Sequence, residues 1–204
     1  MLKVLKWTAL VVVVLYAALV VYRMFVLNEE DKTEAQVEKI HATKLTLGDV
    51  LGRNLPPSYA EASKGKPDYD ATVEGVDENK NGIRDDVELA IFKEYPDSTK
   101  TRAVLLQYAL ALQMEVIQPL VNKGTVVAVA QVGDKASACI GESVPRTDLQ
   151  KFIDTTQKYA NFIDATQWNT DGRKKAKKDF YNGNLESYSS LDDTCDLDLS
   201  IFSN

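Results

Sequence analysis

The sequence predicts an all-α protein: one N-terminal membrane-spanning helix and a small helical bundle outside the membrane. Three observations carry this expectation. Residues 7–27 form an almost uncharged apolar run. Most of the chain after residue 84 shows helical apolar periodicity punctuated by capping residues. No pair of alternating segments joined by a hairpin turn stands out.

The apolar run begins WTALVVVVLYAALVVY at residue 7, is interrupted by Arg23, and resumes with residues 24–27. Its 21 residues reach about 31 Å as a helix, matching a hydrocarbon core of about 30 Å. Arg23 lies near the end of the run, where its long stem can lift the charge to the interface. Lys3 and Lys6 precede the run, while Glu29, Glu30 and Asp31 follow it. The positive-inside bias then places the N-terminus in the cytoplasm and the rest outside. No A-x-A site follows, so the run is read as an uncleaved signal anchor. This gives a bacterial inner-membrane protein with a single pass and a periplasmic C-terminal domain.

The 204 residues carry 24 basic and 30 acidic side chains, a net charge of −6. Beyond residue 27 the balance is 21 basic against 30 acidic, which argues against a nucleic-acid partner. Hydrophobic residues make up 45% of the chain, enough for a packed core. Cys139 and Cys195 are the only cysteines, and in an oxidising compartment they read as one disulfide. His41 is the only histidine and is expected to be an exposed stalk residue.

Residues 28–45 fit a charged helix with a thin apolar stripe at Val37 and Ile40, a stalk. Residues 53–71, rich in Pro, Gly and Ser, read as a linker. The domains expected are therefore an anchor (1–27), a stalk and linker (28–70) and a helical domain (71–204). Within the last, one helix runs from Asp85 to Tyr95 and stops at Pro96. A second, capped by Ser98, runs from Thr99 to about Asn122 with a kink at Pro119. It is apolar nearly all round, so it is expected at the centre, with Gln107, Glu115, Gln118 and Asn122 on one polar stripe. Residues 125–140 fit a helix by length and alanine content, or a strand by their valines; helix is preferred. Thr147 caps a helix to about Thr166, and Thr170 caps another ending near Asn182. The tail after Asp196 reads as an edge strand or an irregular segment held by Cys195.

One segment carries specific chemistry: residues 77–88, DENKNGIRDDVE. Calcium takes six to eight oxygens from a tightly curled chain. Asp77, Asn79 and Asn81 occupy alternate positions 1, 3 and 5. Gly82 permits the turn at position 6, and the Ile83 carbonyl serves at position 7. Asp85 falls at position 9 and Glu88 at position 12, where a carboxylate binds through both oxygens. The pattern D-x-N-x-N-G-I-x-D-D-x-E resembles the calcium loops of thrombospondin type 3 repeats and related bacterial extracellular loops. That resemblance covers these 12 residues and implies ligand roles for Asp77, Asn79, Asn81, Asp85 and Glu88. It differs from a paired EF-hand in having Arg84 at position 8, no second loop, and no convincing helix before it. A solitary structural Ca²⁺ site of modest affinity is expected, with a dissociation constant of roughly 10⁻⁴–10⁻³ M. The plainer reading is an Asn-Gly turn capping the next helix.

Other clusters are weaker. Arg173, Lys174, Lys175, Lys177 and Lys178 form a basic face for headgroups, for an acidic protein, or simply for solvent. Asp192, Asp193, Asp196 and Asp198 surround Cys195 without loop spacing. No G-x-S-x-G, Ser-x-x-Lys or H-E-x-x-H motif occurs. The functional expectation is a non-enzymatic, calcium-stabilised domain that binds an envelope protein, in its specific form an immunity-type inhibitor of a periplasmic toxin. The alternatives are an envelope hydrolase using paired carboxylates, or a structural subunit of an envelope complex.

Overall fold

The computed structural model describes residues 2–56 and 67–202. The expected linker falls partly on residues 57–66, outside the described residues. The described chain is helical, with no strand. The helices are α1 (Leu2–Ala42), α2 (Leu47–Val50), α3 (Asp85–Glu94), α4 (Thr99–Ile117), α5 (Lys123–Ser143), α6 (Leu149–Gln167) and α7 (Asp171–Tyr181), with a short 3₁₀ turn at Leu199–Ile201.

α1 is one unbroken helix of 41 residues, about 60 Å long. Its first part is long and apolar enough to cross a membrane, and its large apolar side chains from Trp7 to Leu27 are exposed wherever they are described, except the half-buried Val26. Its last part is packed. Ile40 is 2% exposed, and Leu45 and Val50 just beyond it are also buried. The core therefore reaches back past residue 70, into the segment expected as a stalk. Polar contacts fix the register. Gln36 donates to Gln118 (2.6 Å), Asn122 donates to Thr33 (2.8 Å), and His41 meets Gln131 at 3.1 Å. His41 is thus half-buried and hydrogen-bonded rather than freely exposed.

α4 is the central helix, packed against α2, α3, α5, α6 and α7. Residues 103–107 and 109–115 are all buried, as an all-round apolar sequence requires. It does not run through Pro119. Gln118 is extended (ψ 123°), the conformation that a following proline enforces, and the helix stops at Ile117. Asn122 instead caps α5 in a capping box with Thr125. That cap settles residues 125–140 as helix, with Val126, Val129, Ala136, Cys139 and Ile140 buried. α6 is capped by Asp148, not Thr147, and burial along it rises from Leu149, 69% exposed, to Ile163 at 0%.

The tail is irregular and firmly held. Cys139 on α5 and Cys195 form a disulfide. The buried Gln107 side chain accepts from Asp196 N–H (2.9 Å) and donates to the Thr194 carbonyl (3.0 Å), gripping the chain on both sides of Cys195. Asp196 also pairs with Lys135 (2.8 Å) and accepts from Leu45 N–H (2.9 Å). The disulfide closes a loop of 56 residues, worth roughly 4 kcal/mol in the chain-entropy model. Replacing both cysteines by serine is expected to lower unfolding stability by about 2–4 kcal/mol in urea titrations. An unchanged midpoint would show that Gln107 and Asp196 hold the tail unaided.

Candidate metal centre

Residues 77–88 fold as a closed turn built from side-chain acceptors. Asp77 receives the N–H groups of Asn81 (3.2 Å) and Gly82 (2.9 Å) on its two oxygens. Asn79 Oδ1 accepts from Asn81 N–H (3.3 Å), and Asn81 Oδ1 from Ile83 N–H (2.9 Å). Asp85 closes the loop: its N–H donates to the Val76 carbonyl (2.8 Å) and its carboxylate accepts from Glu78 N–H (3.1 Å). Lys80 (φ 57°) and Gly82 (φ 84°) adopt left-handed backbone. Gly82 is required twice over, because a Cβ there would sit 2.8 Å from Leu110 Cδ1. Ile83 turns its side chain into the core at 0% exposure.

Glu88, in the first turn of α3, is fully buried. Its Oε1 accepts from Asn81 Nδ2 (3.1 Å) and its Oε2 from Asn79 Nδ2 (2.9 Å). The structure thus brings Asp77, Asn79, Asn81 and Glu88 into one network, with Asp85 beside it. Both asparagines turn their amide nitrogens, not their oxygens, to Glu88. An ion ligated by these residues needs Asn79 and Asn81 to rotate their Oδ1 atoms inward. Burial pushes the Glu88 carboxyl up to about 7, and nearby Asp49 and Asp85 add to the shift. Burial likewise raises Asp85 to about 6, helped by Asp77, Glu78 and Asp86. Among the described residues no three His, Cys, Asp or Glu side chains converge as a metal cluster. The remaining expected ligands are neutral, the two asparagines and the Ile83 carbonyl.

Two buried arginines position this loop, and neither stands out in the sequence as a buried residue. Arg84, with 0% exposure, grips Asp86 through Nε (2.6 Å) and Nη2 (2.8 Å). It also donates to the carbonyls of Thr166 (2.9 Å) and Gln167 (3.1 Å) at the C-terminal end of α6. Those carbonyls lack helical partners, and the helix dipole favours a cation there. Arg173, expected on an exposed basic face, is in fact fully buried. It donates to the carbonyls of Tyr69 (2.5 Å), Thr72 (3.3 Å) and Val73 (2.9 Å), and to the side chains of Asp70 (2.5 Å) and Asn169 (2.6 Å). A Cβ at Gly75 (φ 76°) would lie 2.3 Å from Arg84 Cδ, so only glycine passes between the two clamps. The surface basic face reduces to Lys174, Lys175 and Lys178; Lys177 stacks over Trp168 at 4.7 Å and pairs with Glu115 at 3.8 Å.

Beside the disulfide, Glu142, Asp192, Asp193 and Asp198 rim an open depression of about 440 Å³. Asp196 is engaged with Lys135, and Asp198 caps the 3₁₀ turn through Ser200 N–H (2.9 Å). In comparison with known proteins, no family model, curated protein or solved structure matches the chain.

A buried carboxylate also lies away from the loop. Glu115, 6% exposed on α4, accepts from Tyr181 Oη (3.0 Å), while Tyr108 Oη reaches Asp164 at 3.4 Å. Burial raises Glu115 to about 7, against the opposing pull of Lys177 and the Tyr181 hydrogen bond. The same burial raises the Tyr108 and Tyr181 hydroxyls. A carboxyl whose folded value exceeds its unfolded one costs nothing at low pH, where both states hold the proton. The cost grows as pH rises from about 4.5 to about 7 and is constant above. Glu115→Gln is therefore expected to match wild type at pH 4 and to exceed it by about 3 kcal/mol at pH 8. Denaturant titrations at the two pH values check this; equal differences at both would refute it.

Proposed function

We propose that the chain is a membrane-anchored protein-binding domain of the bacterial periplasm, braced by one calcium ion. α1 is the anchor, with its N-terminus in the cytoplasm. The disulfide suits an oxidising compartment and supports the outward placement of the domain. The observation that carries the calcium reading is Glu88: a carboxylate at 0% exposure, met only by neutral amides. Removing a charge from water without an opposite charge is costly, and a divalent cation is the natural complement. Asp77, Asn79, Asn81, Asp85, Glu88 and the Ile83 carbonyl would hold the ion. Its work would be to lock the segment before α3, which the two arginine clamps already tie to α6 and α7.

The acidic depression beside the disulfide is the surface offered to a partner. Its open shape and its charge suit a basic protein surface. An immunity-type inhibitor, laid over the basic site of a toxin in the periplasm, is the specific form of this reading.

Binding to the folded state alone would add about 2.7 kcal/mol at 100 times the dissociation constant. Thermal melts in millimolar calcium are therefore expected several degrees above melts in chelator, and Glu88→Gln is expected to lose the difference. Identical wild-type melts with and without calcium would remove the ion. Crosslinking of the full chain in native membranes is expected to trap one basic partner, and Asp192→Lys with Asp193→Lys to abolish the trap. A partner retained by that variant would move the interface elsewhere, as a structural subunit of a larger complex requires.

A further inference from the structure

We infer that the turn joining α4 to α5 is a second membrane contact, resting Ile117 and Val121 on the headgroup boundary of the bilayer together with Leu185, whose neighbour Glu186 pairs with Lys123. This rests on the reading that α1 crosses that bilayer. The argument is one of direction along a continuous rod. Moving back along α1 from His41 to Thr33, the partners on α5 change from Gln131 to Asn122. α5 therefore starts at the membrane side and runs away from it. α4 arrives at the same level, since Gln118 just past its end bonds Gln36. Residues 117–123 are thus the part of the α4–α5 hairpin nearest the membrane.

The distance is short. Thr33 lies six residues beyond Leu27, the last residue of the apolar run, or about 9 Å along the helix. The interfacial zone on each side of the hydrocarbon is about 5–8 Å deep. An open groove of about 900 Å³ lies between Val26 and Glu29 of α1 and Lys123 and Gly124, so the turn overhangs α1 toward the end of the apolar run. Ordinary helix tilt, about 20°, brings one side of the domain closer still.

The chemistry matches the place. Ile117 and Val121 are 40% and 47% exposed although they flank a tight turn. Leu185 is 49% exposed and adjoins Glu186, which forms an ion pair with Lys123. Aliphatic side chains from two separate segments of chain therefore meet solvent at the level where a tethered domain meets lipid. Pro119 ends α4 there, leaving a turn rather than a helix end to face the interface.

The test uses the full chain in phosphatidylethanolamine–phosphatidylglycerol vesicles. An environment-sensitive fluorophore is placed on single introduced cysteines, Val121→Cys, Leu185→Cys, Leu149→Cys and Val13→Cys, with the native disulfide intact. Nitroxide lipids, labelled on the headgroup or the acyl chain, serve as quenchers. The probe at position 13 is expected to be quenched by acyl-chain nitroxides, which reports the anchor. The probes at 121 and 185 are expected to be quenched by headgroup nitroxides and blue-shifted relative to that at 149, which lies in the first turn of α6 and should show neither effect. Quenching at 13, with 121 and 185 behaving like 149, would overturn the second contact and leave the anchor standing. No quenching at 13 would remove the anchor and this inference with it. Because 185 reports the same surface from a different segment, a folding defect at 121 would not pass for lack of contact.

Discussion

The segment from Tyr69 to Arg84 has neither helix nor strand to satisfy its backbone, and two buried guanidinium groups hold it, one by donating to its carbonyls and the other by anchoring its end to α6. Buried carbonyls need donors, and an irregular stretch must find them outside itself. Arg173 reaches into the stretch from α7 and takes the carbonyls of Tyr69, Thr72 and Val73. Arg84 leaves its end and takes the last carbonyls of α6. The first ties the loop to α7, the second ties it to α6, and α3 begins one residue later. The position of residues 77–88 relative to the bundle follows from these two side chains. Each is compensated by an acid, Asp70 or Asp86, so each carries its charge inward with a partner.

Several helices were legible from the capping residues at their starts, less so from their ends. Ser98 and Thr170 cap α4 and α7 as expected, and the all-round apolar face of α4 led directly to its central place. The disulfide was legible from compartment and count. What could not be read were partners distant in sequence. The polar residues that seemed one stripe on α4 are four separate attachments: Gln107 to the tail, Glu115 to Tyr181, Gln118 to Gln36 and Asn122 to Thr33. Periodicity gives the face of a helix but not what lies opposite it. Arg173 shows the same limit from the other side. Among four lysines it reads as a solvated charge, and only the carbonyls of residues 69–73 explain why an arginine stands there. Its planar fork serves five acceptors at once, which a lysine ammonium does not.

Asp49, Glu115 and Glu88, three of the four buried carboxylates among the described residues, divide by how their charge is met. Asp49 is satisfied locally, accepting from Thr46 N–H and Oγ1 in its capping box. Glu115 leans on a tyrosine hydroxyl and a half-exposed lysine, and burial still raises it. Glu88 has only amides, and its neighbours Asp49 and Asp85 add negative charge. The protein places a guanidinium beside Asp70 and Asp86 but none beside Glu88. That asymmetry, in a chain with arginines so close at hand, is what makes the loop a site rather than a capped turn in the proposed reading.

Arg84 bears on that reading in a way its position in the sequence conceals. At position 8 of the loop, a basic side chain counts as a charge competing with calcium. In the folded chain its guanidinium points away, bound to Asp86 and to the end of α6. It therefore neutralises Asp86, a loop acid with no ligand role, and leaves Asp77, Asp85 and Glu88 for the proposed ion. Lys80, the other basic residue of the loop, is exposed on left-handed backbone and stays in solvent. The two positive charges that weaken the motif on paper are thus removed from its interior, one by a buried clamp and one by the turn itself. The same clamp couples the loop to α6, so an ion that fixes residues 77–88 would also fix the helix end on which Trp168 and Lys177 are stacked.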